Sequence, residues 1–268
     1  MNKLIICLFS LFLFVGCGDD DGPNPEIQIA DFIAAEGLEV TTTASGLNFV
    51  FQEEGAGDLP IVNSIMELNF TGMLTDGTVF SQSSSPIEAY LTNQIAGLEE
   101  GLRMMREGSR ATFIIPPSLG FGSESIGEVP GNSAIVYEIE ITKIDNRVQN
   151  TIDQYILDNN LTASATEEGL YYVLSDSGEG QGPNINSNIE INYTGRFVDG
   201  GVFDQSGASS ASFPLSNLIR GWQIGIPLMG VGGVGEFIIP PQLGYGQEGR
   251  TGIPGDAVLI FDIELLSF

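Results

Sequence analysis

Residues 188–205 read NIEINYTGRFVDGGVFDQ, and residues 65–82 read IMELNFTGMLTDGTVFSQ. The two stretches keep a constant offset of 123 positions (193 − 70): Tyr193-Thr194-Gly195 answers Phe70-Thr71-Gly72, and Phe203 answers Phe80. Each reads as an alternating strand, with Ile65, Leu68 and Phe70, or Ile189, Ile191 and Tyr193, expected on one face. Each then turns at Asp76-Gly77 or Asp199-Gly200, where glycine supplies the positive φ of a tight hairpin. Further on the offset becomes 124: Pro240-Pro241 answers Pro116-Pro117, and Ile253-Pro254 answers Val129-Pro130. An offset held over a hundred residues with a one-residue slip is the mark of a duplicated unit.

Working outward, each copy opens on a helix-like piece, 29–37 and 151–160, stopped by Gly37 and by Asn159-Asn160. A strand follows at 45–50 and at 168–173, then a polar loop at 54–59 and at 176–188. After the hairpin and a variable loop comes one helix. Ile95, Leu98, Leu102 and Met105 share its face in the first copy, Ile219, Trp222, Ile226 and Met229 in the second, with Gly108 and Gly232 or Gly233 as stops. A β-branched strand runs into each Pro-Pro pair (111–115, 236–239), and a last strand closes each copy (134–144, 257–266). The expected fold is α+β: a curved antiparallel β-sheet wrapped around one short α-helix, duplicated in tandem. The division is 27–150 and 151–268, with 147–150 as a short polar seam.

The start of the chain reads as a processing signal at 1–17. Lys3 precedes an apolar run from Leu4 to Val15 that is short of the ~20 residues a bilayer span needs. It ends Phe14-Val15-Gly16-Cys17, which resembles the lipobox of bacterial lipoproteins and makes Cys17 the lipidated residue. Residues 18–26 open with three aspartates, Asp19 to Asp21, and read as an acidic flexible tether. The acidic run resembles the surface-export signal of some lipoproteins and reads equally as a plain spacer. The implied location is the cell envelope, as a lipid-anchored outer-membrane lipoprotein facing periplasm or surface. No cysteine follows Cys17, so no disulfide staples either copy.

A net charge of −26 argues against nucleic acid as a partner, since phosphate contacts need Lys and Arg. The chain has no histidine. That removes Ser-His-Asp and Cys-His schemes and most zinc sites. No phosphate-binding glycine loop occurs, since the glycine-rich 230–235 lacks the Lys-Ser/Thr ending. The sequence therefore calls for no metal and no cofactor.

Eight blocks of the second copy fall in order: Tyr193-Thr-Gly, Asp199-Gly200, Val202-Phe203-Asp204, Ile219-Arg220-Gly221-Trp222, Pro240-Pro241, Gly244-Tyr245-Gly246, Ile253-Pro254 and Phe261-Asp262. Together they resemble the FKBP-type peptidyl-prolyl isomerases over 183–268, and 57–145 resembles them less closely. The resemblance implies an isomerase of X–Pro bonds acting on proline-containing polypeptides in extracytoplasmic folding, with macrolides as possible inhibitors. It implies Trp222 as the floor under the proline ring and Tyr193, Phe203, Leu218, Ile219 and Phe261 as walls. Tyr245 would donate its hydroxyl to a substrate carbonyl, and the Ile253 amide a second hydrogen bond. Asp204 would lie near the twisting carbonyl and hold the Tyr193 hydroxyl. Members of this family often place an arginine soon after the aspartate; 205–212 holds none, leaving Tyr193 as its expected partner.

The first copy has Phe70, Ser81, Leu98 and Phe121 where the second has Tyr193, Asp204, Trp222 and Tyr245. Apolar volume is mostly kept, so the fold is expected to survive while polar orientation of a substrate is lost. This reads as a degenerate unit, weak or inactive in catalysis, serving as a peptide-binding or spacing module. The alternative for the whole chain is a non-catalytic proline-peptide-binding chaperone, or a surface lipoprotein, using the same pockets. For the anchor, Cys17→Ser is expected to leave the protein unprocessed or soluble. Detergent-phase partitioning and the mapped mature N-terminus check this, and a mature N-terminus other than Cys17 counts against lipidation.

Overall fold

A computed structural model describes residues 24–92 and 94–268. The expected signal, Cys17 and residues 18–23 of the tether lie outside the described residues. The chain opens on helix α1 (Pro25–Glu36), earlier than its sequence pattern suggested. Asn24 caps it, its side chain accepting from the Glu26 and Ile27 amides, and Pro25 sits where a missing N–H costs nothing. Residues 25 and 26 are therefore helical rather than tether. Gly37, at φ 63, stops the helix as expected.

The first sheet holds β1 (Thr41–Thr42), β2 (Asn48–Glu53), β3 (Ile65–Leu74), β4 (Val79–Gln82), β5 (Ile87–Tyr90), β6 (Arg110–Ile115) and β7 (Ile135–Asp145). Its order is β1-β2-β6-β7-β3-β4, with β5 also on β3, and all pairings are antiparallel. Helix α2 (Ala96–Leu102) crosses its inner face. After helix α3 (Arg147–Asp158) the second sheet repeats the plan with β8 (Ser164–Ala165), β9 (Tyr171–Asp176), β10 (Asn188–Phe197), β11 (Val202–Gln205), β12 (Ala211–Pro214), β13 (Val234–Ile239) and β14 (Leu259–Ser267). Its order is β11-β10-β14-β13-β9-β8, with β12 on β10 and helix α4 (Arg220–Gly225) inside. The expected α+β architecture, duplicated in tandem, is what the chain adopts.

Four local readings differ from the structure. The variable loop of each copy contains a strand, β5 or β12, that pairs with the hairpin strand. The inner helix is shorter than expected. Pro227 cannot continue α4, which tightens into a 3-10 turn at Ile226–Leu228, yet Met105 and Met229 remain fully buried beyond the helix ends. Ile65 does not share a face with Leu68 and Phe70. Three residues along a strand reverse the face, and Ile65 packs outward while Leu68 joins the inner core. The seam at 147–150 is no polar linker but the first turn of α3, with Val148 and Gln149 buried.

Helix α3 covers the outer face of the second sheet. Val148, Ile152 and Tyr155 meet Ile238, Val258 and Ile260, and Ile65 of the first sheet joins them. A buried amide cluster completes the seam. Asn63 donates to Gln149 Oε1 at 2.9 Å and accepts from Gln242 at 2.6 Å, while Gln149 donates to Asp153 and Tyr171. Burying amides this way is tolerable where their groups find partners, and of this cluster Gln242 Oε1 finds none among the described residues. Arg196 adds a rim, donating to the Tyr155 hydroxyl at 2.7 Å and to Asp262 at 3.0 Å.

The Thr-Gly repeat has a steric cause. A Cβ at Gly195 would stand 2.7 Å from the Phe261 ring and 2.8 Å from Phe203, and at Gly72 it would meet Tyr137 at 2.9 Å. Glycine lets an aromatic ring of the neighbouring strand lie across the backbone. Gly195→Ala is expected to cost about 1–3 kcal/mol by overpacking, measured by denaturant unfolding.

Candidate functional site

The inner face of the second sheet closes on a cavity of about 290 Å³ lined by Tyr193, Asp204, Phe213, Asn217, Leu218, Ile219, Trp222, Tyr245, Arg250 and Phe261. Its position follows from register. Gly195 of β10 pairs with Phe261 of β14 and with Asp204 of β11, so ring and carboxylate flank the same bare glycine. Tyr193 stands two residues back on the same face. Helix α4 brings Trp222 up beneath both rings. The Trp222 ring lies 5.1 Å from Tyr193 and 5.0 Å from Phe261, both edge-on, and is 4% exposed. Edge-to-face contacts add to the burial that locks this floor. The indole Nε1 is buried without a hydrogen-bond partner among the described residues.

The structure thus brings together seven of the nine residues singled out by sequence for the pocket: Tyr193, Asp204, Leu218, Ile219, Trp222, Tyr245 and Phe261. Phe203 stands one layer back, edge-on to Phe261 at 5.5 Å and beside Phe197 at 5.0 Å. Ile253 is buried in the core beneath the rim. The Ile253 amide does not face the cavity as a free donor. It donates to the Arg250 carbonyl at 2.8 Å, closing a small bridge within the loop. The amide of Ile219, at the entry to α4, finds no acceptor among the described residues.

Three lining residues are not among those nine. Phe213 fills the outer aromatic position because β12 pairs with β10 and sets its ring 6.4 Å from Tyr193. Asn217 precedes α4. Arg250 reaches in from the loop after Tyr245 and lays its guanidinium 4.3 Å from the centre of the Tyr245 ring. The cavity lining therefore includes an arginine, although 205–212 supplies none. Asp204 Oδ1 accepts from the Gln205 amide at 2.9 Å.

The electrostatics follow. Burial, then the facing Asp204 carboxylate, push the Tyr193 phenol up to about 12. Tyr245 is also raised, chiefly by burial, with Arg250 pulling it down and Asp204 pushing it up. Both hydroxyls are protonated donors at any ordinary pH.

The first copy has the matching cavity, about 360 Å³, lined among others by Phe70, Ser81, Gln94, Leu98 and Tyr137. Phe121 turns away to meet Phe80 at 6.2 Å. Gln94 donates to the Tyr90 carbonyl at 3.0 Å across its rim. The cavity survives; the phenol–carboxylate pair and the indole do not.

A single family description matches both copies: residues 59–142 and 180–266 fit the model of the FKBP-type peptidyl-prolyl cis-trans isomerases. The chain belongs to this family. Among curated proteins it resembles peptidyl-prolyl cis-trans isomerase FKBP9 of Rattus norvegicus, 30% identical over 211 residues, 75% of this chain and 34% of that one. It also resembles peptidyl-prolyl cis-trans isomerase Mip of Coxiella burnetii, 41% identical over 102 residues, 37% of this chain and 44% of Mip. The chain spans about a third of the length of the first of these relatives and under half of the second. Among solved structures, FkpA from Escherichia coli aligns with TM-score 0.42 at 32% identity, covering 44% of this chain and 57% of that one.

The Tyr193 phenol is expected to titrate near 12 by phenolate absorbance, and Asp204→Asn to lower that value while burial keeps it above 10. A folded pKa above the unfolded value of about 10 gives a definite sign. Stability is undiminished below pH 10 and falls as pH rises toward 12, where the unfolded phenol ionises first. Tyr193→Phe removes that part of the alkaline loss in unfolding measured across this range.

Proposed function

We propose that this protein is a peptidyl-prolyl cis-trans isomerase whose chemistry takes place in the second pocket. Its substrates are proline-containing polypeptides folding outside the cytoplasm. The observation that carries this is the convergence of Tyr193, Asp204, Trp222, Tyr245 and Phe261 on one cavity, set against a first pocket that keeps the shape and lacks those groups. The X–Pro bond rotates against a barrier of ~18–20 kcal/mol because resonance holds the amide planar. Resonance is weakened in the twisted state, where charge separation falls and the nitrogen becomes more pyramidal. An apolar floor beneath the proline ring favours that state over either planar one, and only such differential binding accelerates the reaction. Tyr245 and the Ile219 amide are donors placed to fix the flanking carbonyls. No covalent step is needed.

The first pocket supports a binding role. A cavity of about 360 Å³ with Phe70, Leu98 and Tyr137 in its wall suits an apolar or proline side chain, without the groups that orient a twisting amide. Cell-envelope placement through a lipid on Cys17 belongs to the same proposal and rests on the leader sequence alone.

A protease-free isomerisation assay on the full chain tests the reading. Tyr245→Phe is expected to reduce the rate about 2–10-fold, the worth of one hydrogen bond. Tyr193→Phe and Asp204→Ala are expected to be non-additive, because the two groups face each other. Binding of a proline-mimicking macrolide should perturb the fluorescence of Trp222, the sole tryptophan. Full activity retained in the Tyr193→Phe, Asp204→Ala double variant would place the chemistry elsewhere.

A further inference from the structure

The loop that carries Tyr245 and Arg250, residues 244–256, is wired internally at both ends. Gly249 donates to the Tyr245 carbonyl at 3.1 Å, and Asp256 donates to the Gly246 carbonyl at 3.0 Å. Asp256 closes the loop at φ 56, a conformation that asparagine and aspartate adopt more readily than other residues with side chains. The matching residue of the first copy is Asn132, at φ 58, and it closes its loop with the same bond, donating to the Gly122 carbonyl at 2.9 Å. Loop closure therefore does not explain why the second copy has a carboxylate at this position.

The carboxylate has other partners. Asp256 Oδ1 accepts from the Tyr90 hydroxyl at 2.8 Å, and Oδ2 accepts from Arg147 at 2.8 Å. Tyr90 ends β5 of the first copy, and Arg147 opens the seam helix. Two more contacts run the same way: Gln247 donates to Glu88 at 3.3 Å, and Gln242, just before the loop, donates to buried Asn63. Tyr90 is half-buried, and burial and the Asp256 carboxylate both hold its phenol well above the usual range, so it remains a donor. The matching position in β12 is Pro214, which has no hydroxyl to offer. The device runs in one direction only, from the first copy to the loop of the second.

We propose that Tyr90 and Asp256 are positioning residues for the reaction: the first copy clasps the 244–256 loop and so holds Tyr245 against the second pocket. This rests on the second pocket being the isomerase site. It gives the copy without the catalytic groups a function in the chemistry of its neighbour. Neither residue lines the second pocket, although Tyr90 borders the first; both act on the reaction through Tyr245.

The test uses the full chain. Tyr90→Phe removes one hydroxyl. Asp256→Asn keeps the backbone conformation, as Asn132 shows, and removes the charge and one of the two acceptor oxygens. Both are expected to speed hydrogen exchange at the Gly249, Ile253 and Asp256 amides by about 2–10-fold, the worth of one hydrogen bond, while exchange in β13 and β14 is unchanged. Both are expected to lower kcat/KM by a similar factor. In a Tyr245→Phe background, Tyr90→Phe should cost little further, because the residue it positions is already disabled; a general loss of structure would still add. Unchanged loop exchange overturns the proposal, and so do faster exchange with full activity and strict additivity with Tyr245→Phe. A wild-type chain inactive in the assay overturns the assigned function instead, and the exchange data then still decide whether the clasp holds the loop.

Discussion

Everything in the second half depends on two adjacent strands, β13 and β14, being buried on both faces. Alternation along a strand sends Phe237, Ile239, Phe261 and Ile263 inward to α4 and Ile238 and Ile260 outward to α3. Each such side chain contributes about 1.5–3 kcal/mol when fully buried. A one-residue slip would exchange the two sets and place pocket rings against the seam helix. The register that builds the pocket is thus the register that docks α3, and through α3 and Ile65 it ties the two copies together. Pocket and seam are opposite faces of the same backbone.

This explains which features were legible in the sequence. The hairpin, the helix and the closing strands are local patterns, repeated twice, and the repetition made them easy to read. Tyr193 and Trp222 sit on regular elements, so the faces they share follow from period; that they and Phe261 line a pocket is what the family resemblance implied. What escaped was decided by partners far along the chain. Val148 and Gln149 look like a polar linker until Asn63, 86 residues from Gln149, supplies the buried amide partner that makes a helix start there worthwhile. Ile65 looked like an inner-face residue because its neighbours are apolar on both faces, and alternation is blurred where a strand is covered twice.

Arg250 shows the same limit at the site itself. The segment just after Asp204, 205–212, holds no arginine. The cation in the pocket lining comes from the tip of another loop, 46 residues after Asp204 (250 − 204), stacked on Tyr245. Spacing cannot reveal such a contact, because the loop's path is set by its own bridge between Arg250 and Ile253. That bridge also consumes the Ile253 amide, so the residue expected to donate to substrate is the one that shapes the loop. A backbone donor is legible only when its competing acceptors are known.

The two pockets separate what the fold requires from what the chemistry requires. Phe70 for Tyr193 and Leu98 for Trp222 leave the sheet, helix and cavity standing, because packing tolerates changes that conserve apolar character. Ser81 for Asp204 removes a charge beside the pocket and nothing that the core needs. The polar groups lost, two phenol hydroxyls and a carboxylate, are ones the core does not need, while Phe80, Ile95 and Tyr137 still fill space. Tyrosine phenols are neutral at ordinary pH even when unperturbed, so the upward shifts at Tyr193 and Tyr245 do not create donors. They record that both hydroxyls sit where a negative charge is costly, beside Asp204 and away from water. On the proposed reading, a substrate carbonyl entering that region meets donors that stay protonated, the Trp222 ring beneath them, and a loop hydrogen-bonded to the other half of the chain.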